Sequence, residues 1–479
     1  MSYQSAIDHL AAMAPELATQ TGHTRRKFSL NEVGILLSAL GNPHRTFPSV
    51  LIAGTNGKGS TASTLASILT ASGLRTGLYT SPHLVRPNER IRINGVDISD
   101  ADFAERFFRV RSVAHKLVEA GKVAQLPSFF ETLTAMAFLY FSEPAIEIAV
   151  LEVGMGGRLD ATNIVDPLLS IITDISLDHM EWLGPTVADI AREKAGIMRH
   201  GGTLVTLPQH PEANQVLGEV ATSLLVLGVS ATPYMPPSDA ASRAAQLAHE
   251  NNVHTSYTVE VLSQPIEVAS PLRGAHQHRN VALAIAAAVE LAISHGFPIT
   301  AKSIAEGIRN TRWPARLERI QVQDPNTHKL TEWILDVAHN PAGAWALRAG
   351  LRDLLPNQQL GNLVFSCLMD KPVIEMAQIL FPLFEKVIFA PISSSRATPM
   401  HDLLAAASST GTPAFAASSV NQAIDLAIEQ TQQAQGRSAS PIIVSGSVYL
   451  VGDVRNRLLS RSARSSSPLQ PPERVGQIP

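Results

Sequence analysis

Lys58 stands between Gly57 and Gly59 in the run Gly54-Thr55-Asn56-Gly57-Lys58-Gly59-Ser60. Four apolar residues, Val50 to Ala53, precede this run, and Leu65, Ile68 and Leu69 follow it at helical spacing. A short buried strand, a glycine-rich turn that lets backbone N–H groups approach an anion, and a helix N-terminus together make a phosphate cradle. In such a cradle Lys58 supplies a point charge for the outer phosphates, Ser60 an oxygen for magnesium, and the helix its partial positive charge. The spacing departs from the usual Walker loop, because Gly59 separates the lysine from the hydroxyl residue and Ile52 occupies the place of the leading glycine. The bland alternative is a turn without a ligand. A lysine between two glycines at a helix mouth is costly, however, unless an anion sits there.

Three further residues could act at the same rim. The strand pattern Ile146 to Leu151 ends in Glu152-Val153-Gly154-Met155-Gly156-Gly157-Arg158-Leu159-Asp160-Ala161-Thr162-Asn163, and the pattern Leu168 to Ile175 leads to Asp178-His179. Ligands of open parallel sheets bind beyond the carboxyl ends of the strands, so Glu152 and His179 are expected beside Lys58. Taken singly, Glu152 reads as a solvated strand end and His179 as a satisfied histidine; a neighbouring phosphate loop reverses that preference. Thr186 and Asp189 predict a capped helix in which Ile190, Lys194 and Ile197 share the apolar face. Lys194 then either snorkels outward or turns toward a metal-and-phosphate rim.

The elements that must position these groups alternate between strand and helix. Ser29 to Leu40 reads as a helix with Ser29 as N-cap, Thr76 to Thr80 as a strand running into Ser81-Pro82-His83-Leu84, and Asn88 to Gly95 as an alternating stretch closed by Asn-Gly. Phe129 to Phe141 predicts an unusually apolar helix and Gln277 to His295 an alanine-rich one carrying Asn280, while Tyr234 to Asn252 reads as a surface insertion. The helical pattern stops at Pro314. Beyond it strands and helices alternate again from Trp333 to Ser445, which implies a second, doubly wound parallel sheet. The expected domains are therefore 1–314 and 315–459, with a disordered tail over 460–479.

Composition narrows the function classes. With 45% apolar residues, 16% charged residues and a net charge of −3, the chain is globular and has no field suited to holding nucleic acid or a membrane surface. The single cysteine, Cys367, lies in an apolar run and reads as a buried strand residue, which suits a reducing cytoplasm. No uncharged apolar run approaches the ~20 residues of a membrane helix. Small-molecule partners and a monomer are expected.

The phosphate loop, the Ser81-Pro82-His83-Leu84 turn, the Leu151 to Asn163 stretch, Glu193-Lys194-Ala195-Gly196-Ile197 and Asp336-Val337-Ala338-His339-Asn340-Pro341 occur in one order. Together they closely resemble folylpolyglutamate synthase, often bifunctional as dihydrofolate synthase, within the Mur ligase superfamily. The resemblance covers roughly residues 29 to 459. It implies an α/β fold: a P-loop-containing central domain of the Mur ligase type, followed by a smaller Rossmann-like domain. It implies an ATP-dependent ligase that phosphorylates a folate or dihydropteroate carboxylate, after which the amine of L-glutamate attacks the acyl phosphate. By the same resemblance Ser81, Glu152 and His179 bind magnesium, and Lys194 matches a lysine that the family carbamylates, whose anion helps hold a second magnesium. Phe130, Glu131 and Thr132, with Leu159, Asp160 and Ala161, match positions lining the pterin site. Asn280, Arg316 and Asp336 match nucleotide contacts, with His339 close by as a catalytic position, so ATP would bridge the two domains. Ser366-Cys367-Leu368 departs from the family, where a glycine is commoner early in this strand end. A cell-wall amino-acid ligase would need a further domain ahead of the loop, a P-loop kinase would release ADP without an amino acid, and a nucleotide switch would bind with little turnover.

Overall fold

Strand β1 (Ser49–Ala53) is buried at all five positions, as is β5 (Ile148–Glu152), which is what a strand covered on both faces requires. The computed structural model describes residues 2–13, 30–143, 146–237, 256–323, 329–356, 360–433 and 440–465. Around β1 and β5 are built β2 (Thr76–Tyr79), β3 (Ile91–Ile93), β4 (Val96–Asp97), β6 (Leu169–Ile172), β7 (Thr203–Thr206) and β8 (Leu227–Ser230). The sheet order is β4-β3-β2-β5-β1-β6-β7-β8, parallel from β2 to β8, with β3 and β4 added antiparallel at one edge. Asn94 and Gly95 both take positive φ, 51° and 76°, in the two-residue turn that the Asn-Gly pair predicts between β3 and β4. From β1 the chain crosses to β2, returns to β5, and then passes over β1 to β6. The carboxyl ends of β5, β1 and β6 therefore lie side by side at the point where the strand order reverses, the usual ligand crevice of such sheets.

Helices cover both faces. One core gathers Phe103, Phe107, Phe138 and Phe141 from the Asp100–Glu119 and Phe129–Ser142 helices. The other gathers the apolar residues of the Lys58–Ala71 helix and the alanine run of the Ala275–His295 helix. A hairpin of β9 (Ser256–Val261) and β10 (Gln264–Ala269), for which no strand was expected, buries alternate residues such as Tyr257, Val259 and Val261 in this second core. The predicted insertion at Tyr234 to Asn252 falls largely outside the described residues, as does the predicted N-cap Ser29. No helix among the described residues is long and apolar enough to cross a membrane.

The chain divides into two compact units, Met1–Pro314 with Ala349–Leu354, and Ala315–Arg348 with Leu355–Pro479. The second unit has its own sheet of β11 (Glu318–Gln323), β12 (Leu330–Leu335), β13 (Leu360–Phe365), β14 (Phe384–Phe389), β15 (Ala414–Ala416) and β16 (Ile442–Ser445). Its order is β11-β12-β16-β13-β14-β15, parallel except for β11, so a doubly wound sheet carries one antiparallel edge strand. Cys367 is buried just past β13, with its sulfur 3.3 Å from Thr398 Oγ1, and burial pushes the thiol up to about 11.

Of the tail expected to be disordered from Ser460, residues 460–465 are helical instead. The Val448–Ser465 helix runs through that point, because buried Leu450, Val451, Val454 and Leu458 form one helical face. Its end carries an ion pair between Arg461 and Asp425 at 2.9 Å. Residues 466–479 lie outside the described residues.

Candidate active site

The phosphate loop is shaped by the segment that follows β6. The Thr55 and Asn56 amides donate to the Asp174 carbonyl at 2.8 and 3.2 Å, Thr173 Oγ1 donates to the Asn56 carbonyl at 2.7 Å, and Thr55 Oγ1 exchanges hydrogen bonds with the Ser176 backbone. Asp174 itself takes a bidentate grip from Arg279 at 2.6 to 3.0 Å. Gly57 caps the Lys58–Ala71 helix with φ +89°, and a Cβ there would lie 2.1 Å from Asn280 Oδ1. Only glycine fits both the torsion and the space. Asn280, expected at a nucleotide contact, thus packs on the loop, with its amide donating to Gln277 Oε1 at 2.8 Å.

Two lysines converge on one carbonyl. Lys58 Nζ donates to the Gly54 oxygen at 3.0 Å and to the Thr55 oxygen at 3.2 Å, while Lys194 Nζ donates to the same Gly54 oxygen at 2.8 Å. Lys194 is therefore inward, not snorkelling, and only 3% exposed. Thr186 caps its helix, Val187–Ala195, with Asp189 in the predicted capping box. Burial first, and then the Lys58 charge, lower its pKa from 10.5 to about 7, against the opposing pull of Asp178 and Asp160. The glycine stretch after β5 lies on this helix: a Cβ on Gly157 would come within 2.7 Å of the Glu193 carbonyl oxygen, and the Arg158 amide donates to that oxygen at 2.8 Å.

Glu152, 3% exposed at the end of β5, accepts the Ser81 amide at 3.1 Å, which brings two of the expected metal positions together. His179 has φ 51° at the head of the short Met180–Leu183 helix, and its Nε2 stands 4.0 Å from Asp178 Oδ1. Among the described residues no three or more His, Cys, Asp or Glu side chains gather as a metal cage. Magnesium does not need one. It is held through one or two carboxylates together with substrate phosphates and water, and the buried Glu152 carboxylate, which the Ser81 backbone amide touches, is a hard oxygen ligand of that kind.

The expected pterin positions divide by role. Phe130, 4% exposed, has its ring 5.8 Å from that of Tyr79. Glu131 closes a capping box with Ser128, accepting the Ser128 amide at 2.7 Å, and Thr132 is buried. Asp160 accepts from the Met155 amide at 3.0 Å, the Thr162 amide at 3.0 Å and Thr162 Oγ1 at 2.6 Å; burial raises its pKa in spite of these bonds. The two carboxylates thus brace their own backbone, while Phe130 and Ala161 are buried and Leu159 is half-buried.

In the second unit Asp336 follows β12 and is 6% exposed, accepting the Leu317 amide at 3.0 Å and the Ala338 amide at 2.9 Å. Burial raises its pKa, with Arg316 pulling the other way. Arg316 Nη1 donates to the Ala315 carbonyl at 3.0 Å, and His339 Nδ1 lies 2.8 Å from the Val337 carbonyl. Sequence reasoning missed the Asp174–Arg279 brace and the role of Trp313, whose ring a Cβ on Gly59 would touch at 2.5 Å and over which Arg92 lies at 5.5 Å. A tryptophan beside the boundary proline was the available signal.

Residues 52–288 match the Mur ligase middle domain, and residues 315–448 match the Mur ligase, glutamate ligase domain. The dihydrofolate synthase/folylpolyglutamate synthase of Bacillus subtilis (strain 168) is 33% identical over 443 residues, spanning 91% of this chain and 97% of its own length. A solved Mycobacterium tuberculosis folylpolyglutamate synthase complexed with ADP is similar at TM-score 0.82 and 30% identity, covering 95% of this chain and 98% of that one. An E. coli FolC structure in complex with DHPP and ADP gives TM-score 0.77 at 27% identity, covering 96% and 98%.

Proposed function

The chain belongs to the folylpolyglutamate synthase/dihydrofolate synthase family of Mur ligases, and from that premise we propose that it joins L-glutamate to folates at the expense of ATP. Dihydropteroate is proposed as a second acceptor, in line with the paired activities in the relatives' names. The observation that carries this reading is the meeting of Lys58 and Lys194 on the Gly54 carbonyl within a loop built for an anion.

The chemistry explains why Lys58 and magnesium would be needed there. A folate carboxylate and the terminal phosphate of ATP are both anionic, and they react only when held in line with their repulsion offset. In this reading the carboxylate oxygen displaces ADP from the γ-phosphorus, giving an acyl phosphate. The neutral amine of glutamate then attacks the acyl carbon, phosphate leaves with the electron pair of the broken C–O bond, and the amine loses its proton. Lys58 and the loop amides hold the phosphates, and Asn280, Arg316 and Asp336 orient the nucleotide, with His339 near the reacting groups. Phe130, Leu159 and Ala161 receive the pterin, with Glu131, Thr132 and Asp160 shaping the wall. Ser81, Glu152 and His179 would hold magnesium, which supplies charge neutralisation on the phosphates. Lys194 is proposed to be carbamylated: with its pKa near 7 the amine has a neutral fraction at neutral pH that can add carbon dioxide and release a proton. The resulting anion would help hold a second magnesium. A monomer working in the cytoplasm on small molecules completes the reading.

The test is ADP release measured with tetrahydrofolate or dihydropteroate, each with and without glutamate. Release that requires both a pterin acid and glutamate is expected. Release that needs the pterin but not glutamate would refute the ligase and leave a kinase, and release that needs neither would leave a hydrolase.

A further inference from the structure

Arg316 is flanked by two residues in a backbone conformation that side chains disfavour. Ala315 has φ 59° and Leu317 φ 49°, both in the left-handed region. Each such residue is disfavoured by a factor of about ten relative to ordinary backbone, and the conformation persists only where the surroundings over-determine it.

Here both amides are held by carboxylates. Ala315 N donates to Glu318 Oε2 at 2.8 Å, and Leu317 N donates to Asp336 Oδ2 at 3.0 Å. The Ala315 carbonyl is fixed in turn, accepting from Val337 N at 3.2 Å and from Arg316 Nη1 at 3.0 Å. Asp336 follows β12, an interior strand paired on both sides, which fixes its backbone. Glu318 begins the edge strand β11 and needs a second support. Arg455 supplies it: its Nε reaches Oε1 and Oε2 at 3.1 and 2.9 Å, and its Nη2 reaches Oε1 at 2.9 Å. The two side chains are 24% and 23% exposed, so this forked pair is stronger than an ordinary surface ion pair. Arg455 projects from the Val448–Ser465 helix, whose buried Val451, Val454 and Leu458 anchor it.

We propose that Glu318 and Arg455 are positioning residues that hold the left-handed Ala315 in place and so present the Arg316 guanidinium to the nucleotide, making the C-terminal helix part of the ATP-binding apparatus. The inference rests on the reading above in which Arg316 contacts ATP. A merely structural pair would instead dock the helix, and would act on stability without choosing among substrates.

Glycine adopts the left-handed conformation without penalty, and that separates the two accounts. The full-length enzyme is assayed as wild type, Arg455→Met, Ala315→Gly, the double variant and Arg316→Ala, with KM for ATP, folate and glutamate, kcat and the urea midpoint measured for each. Arg455→Met is expected to raise KM for ATP about tenfold, the factor that one left-handed residue carries, with the other two KM values within about twofold. Ala315→Gly in the same chain is expected to restore most of the ATP KM while leaving the urea midpoint shift from Arg455→Met in place. If Arg455→Met folds poorly, Arg455→Lys, which keeps the charge but not the fork, carries the same measurement. An unchanged ATP KM in Arg455→Met, or no rescue by Ala315→Gly, overturns the proposal provided Arg316→Ala does raise ATP KM. An Arg316→Ala variant with unchanged ATP KM would instead remove its premise, the nucleotide contact itself.

Discussion

Replacing Gly57 by alanine probes the phosphate loop by two separable effects. The backbone there has φ +89°, which costs an alanine about 1–2 kcal/mol. The new Cβ would also lie 2.1 Å from Asn280 Oδ1, and Asn280 is 4% exposed and bonded to Gln277, so it cannot swing aside without breaking that bond. Forcing a methyl into such a site costs about 1–3 kcal/mol more. Gly73 is the control, because its φ is +83° and nothing lies within 4 Å of its added Cβ. Gly73→Ala should therefore show the torsional effect alone, and Gly57→Ala an excess of about 1–3 kcal/mol in urea denaturation. Displacing Asn280 or the loop should also weaken binding of a non-hydrolysable ATP analogue by about tenfold or more for each 1.4 kcal/mol of lost contact. Combining Gly57→Ala with Asn280→Ala reopens the space, so the double variant should be less destabilised than the sum of the singles. Equal destabilisation by Gly57→Ala and Gly73→Ala, with unchanged analogue binding, would refute the packing argument.

Other substitutions test the remaining parts of the site. Lys58→Ala should abolish ligation with a wild-type circular dichroism spectrum and urea midpoint, and near-normal turnover at saturating folate would contradict its phosphate role. Glu152→Gln and His179→Ala should each shift the magnesium activation curve to higher concentration; superimposable curves in both would exclude the metal role. Lys194 is expected to make stability depend on pH: its folded pKa of about 7 lies below the ordinary 10.5, so the unfolded chain binds more protons between those values and stability rises as pH climbs through that window. Lys194→Met should lose that slope and most of its activity, whereas parallel stability curves from pH 7 to 9 would show that the amine is not suppressed. Deleting residues 466–479 should leave activity intact, while a cut after Ser460, which removes the Arg461–Asp425 pair, should lower the thermal midpoint slightly; loss of activity in the shorter deletion would assign the tail a role.

Much of this architecture is written in local pattern. Buried strands such as β1 and β5 are near-continuous apolar runs, the Asn94-Gly95 turn needs positive φ at both residues, and Thr186 with Asp189 spells out the cap of the Lys194 helix. Periodicity places Lys194 on the face of Ile190 but leaves snorkelling open, and its burial on the Gly54 carbonyl decides for the inward course. What stayed hidden depends on pairs distant in sequence. Arg279 meets Asp174 across 105 positions and Arg455 meets Glu318 across 137, and neither pair leaves a periodic trace. No strand was expected over the β9–β10 hairpin, although Tyr257, Val259 and Val261 alternate with polar residues.

That Lys58 and Lys194 share one carbonyl could not be read from pattern, and it bears most directly on function. A fold selected for stability alone has little reason to bring a fully buried lysine beside a second lysine on one carbonyl, since burial and like charge both penalise it. In the proposed reading Lys58 carries the positive charge for the phosphates, and the burial and like charge that penalise a protonated Lys194 favour the neutral amine that carbamylation requires. The Asp174–Arg279 brace and the glycine stretch lying on the Glu193 carbonyl keep the loop and the Lys194 helix from relaxing apart. Rigidity at this point is therefore what keeps both lysine side chains on the Gly54 carbonyl in spite of that penalty.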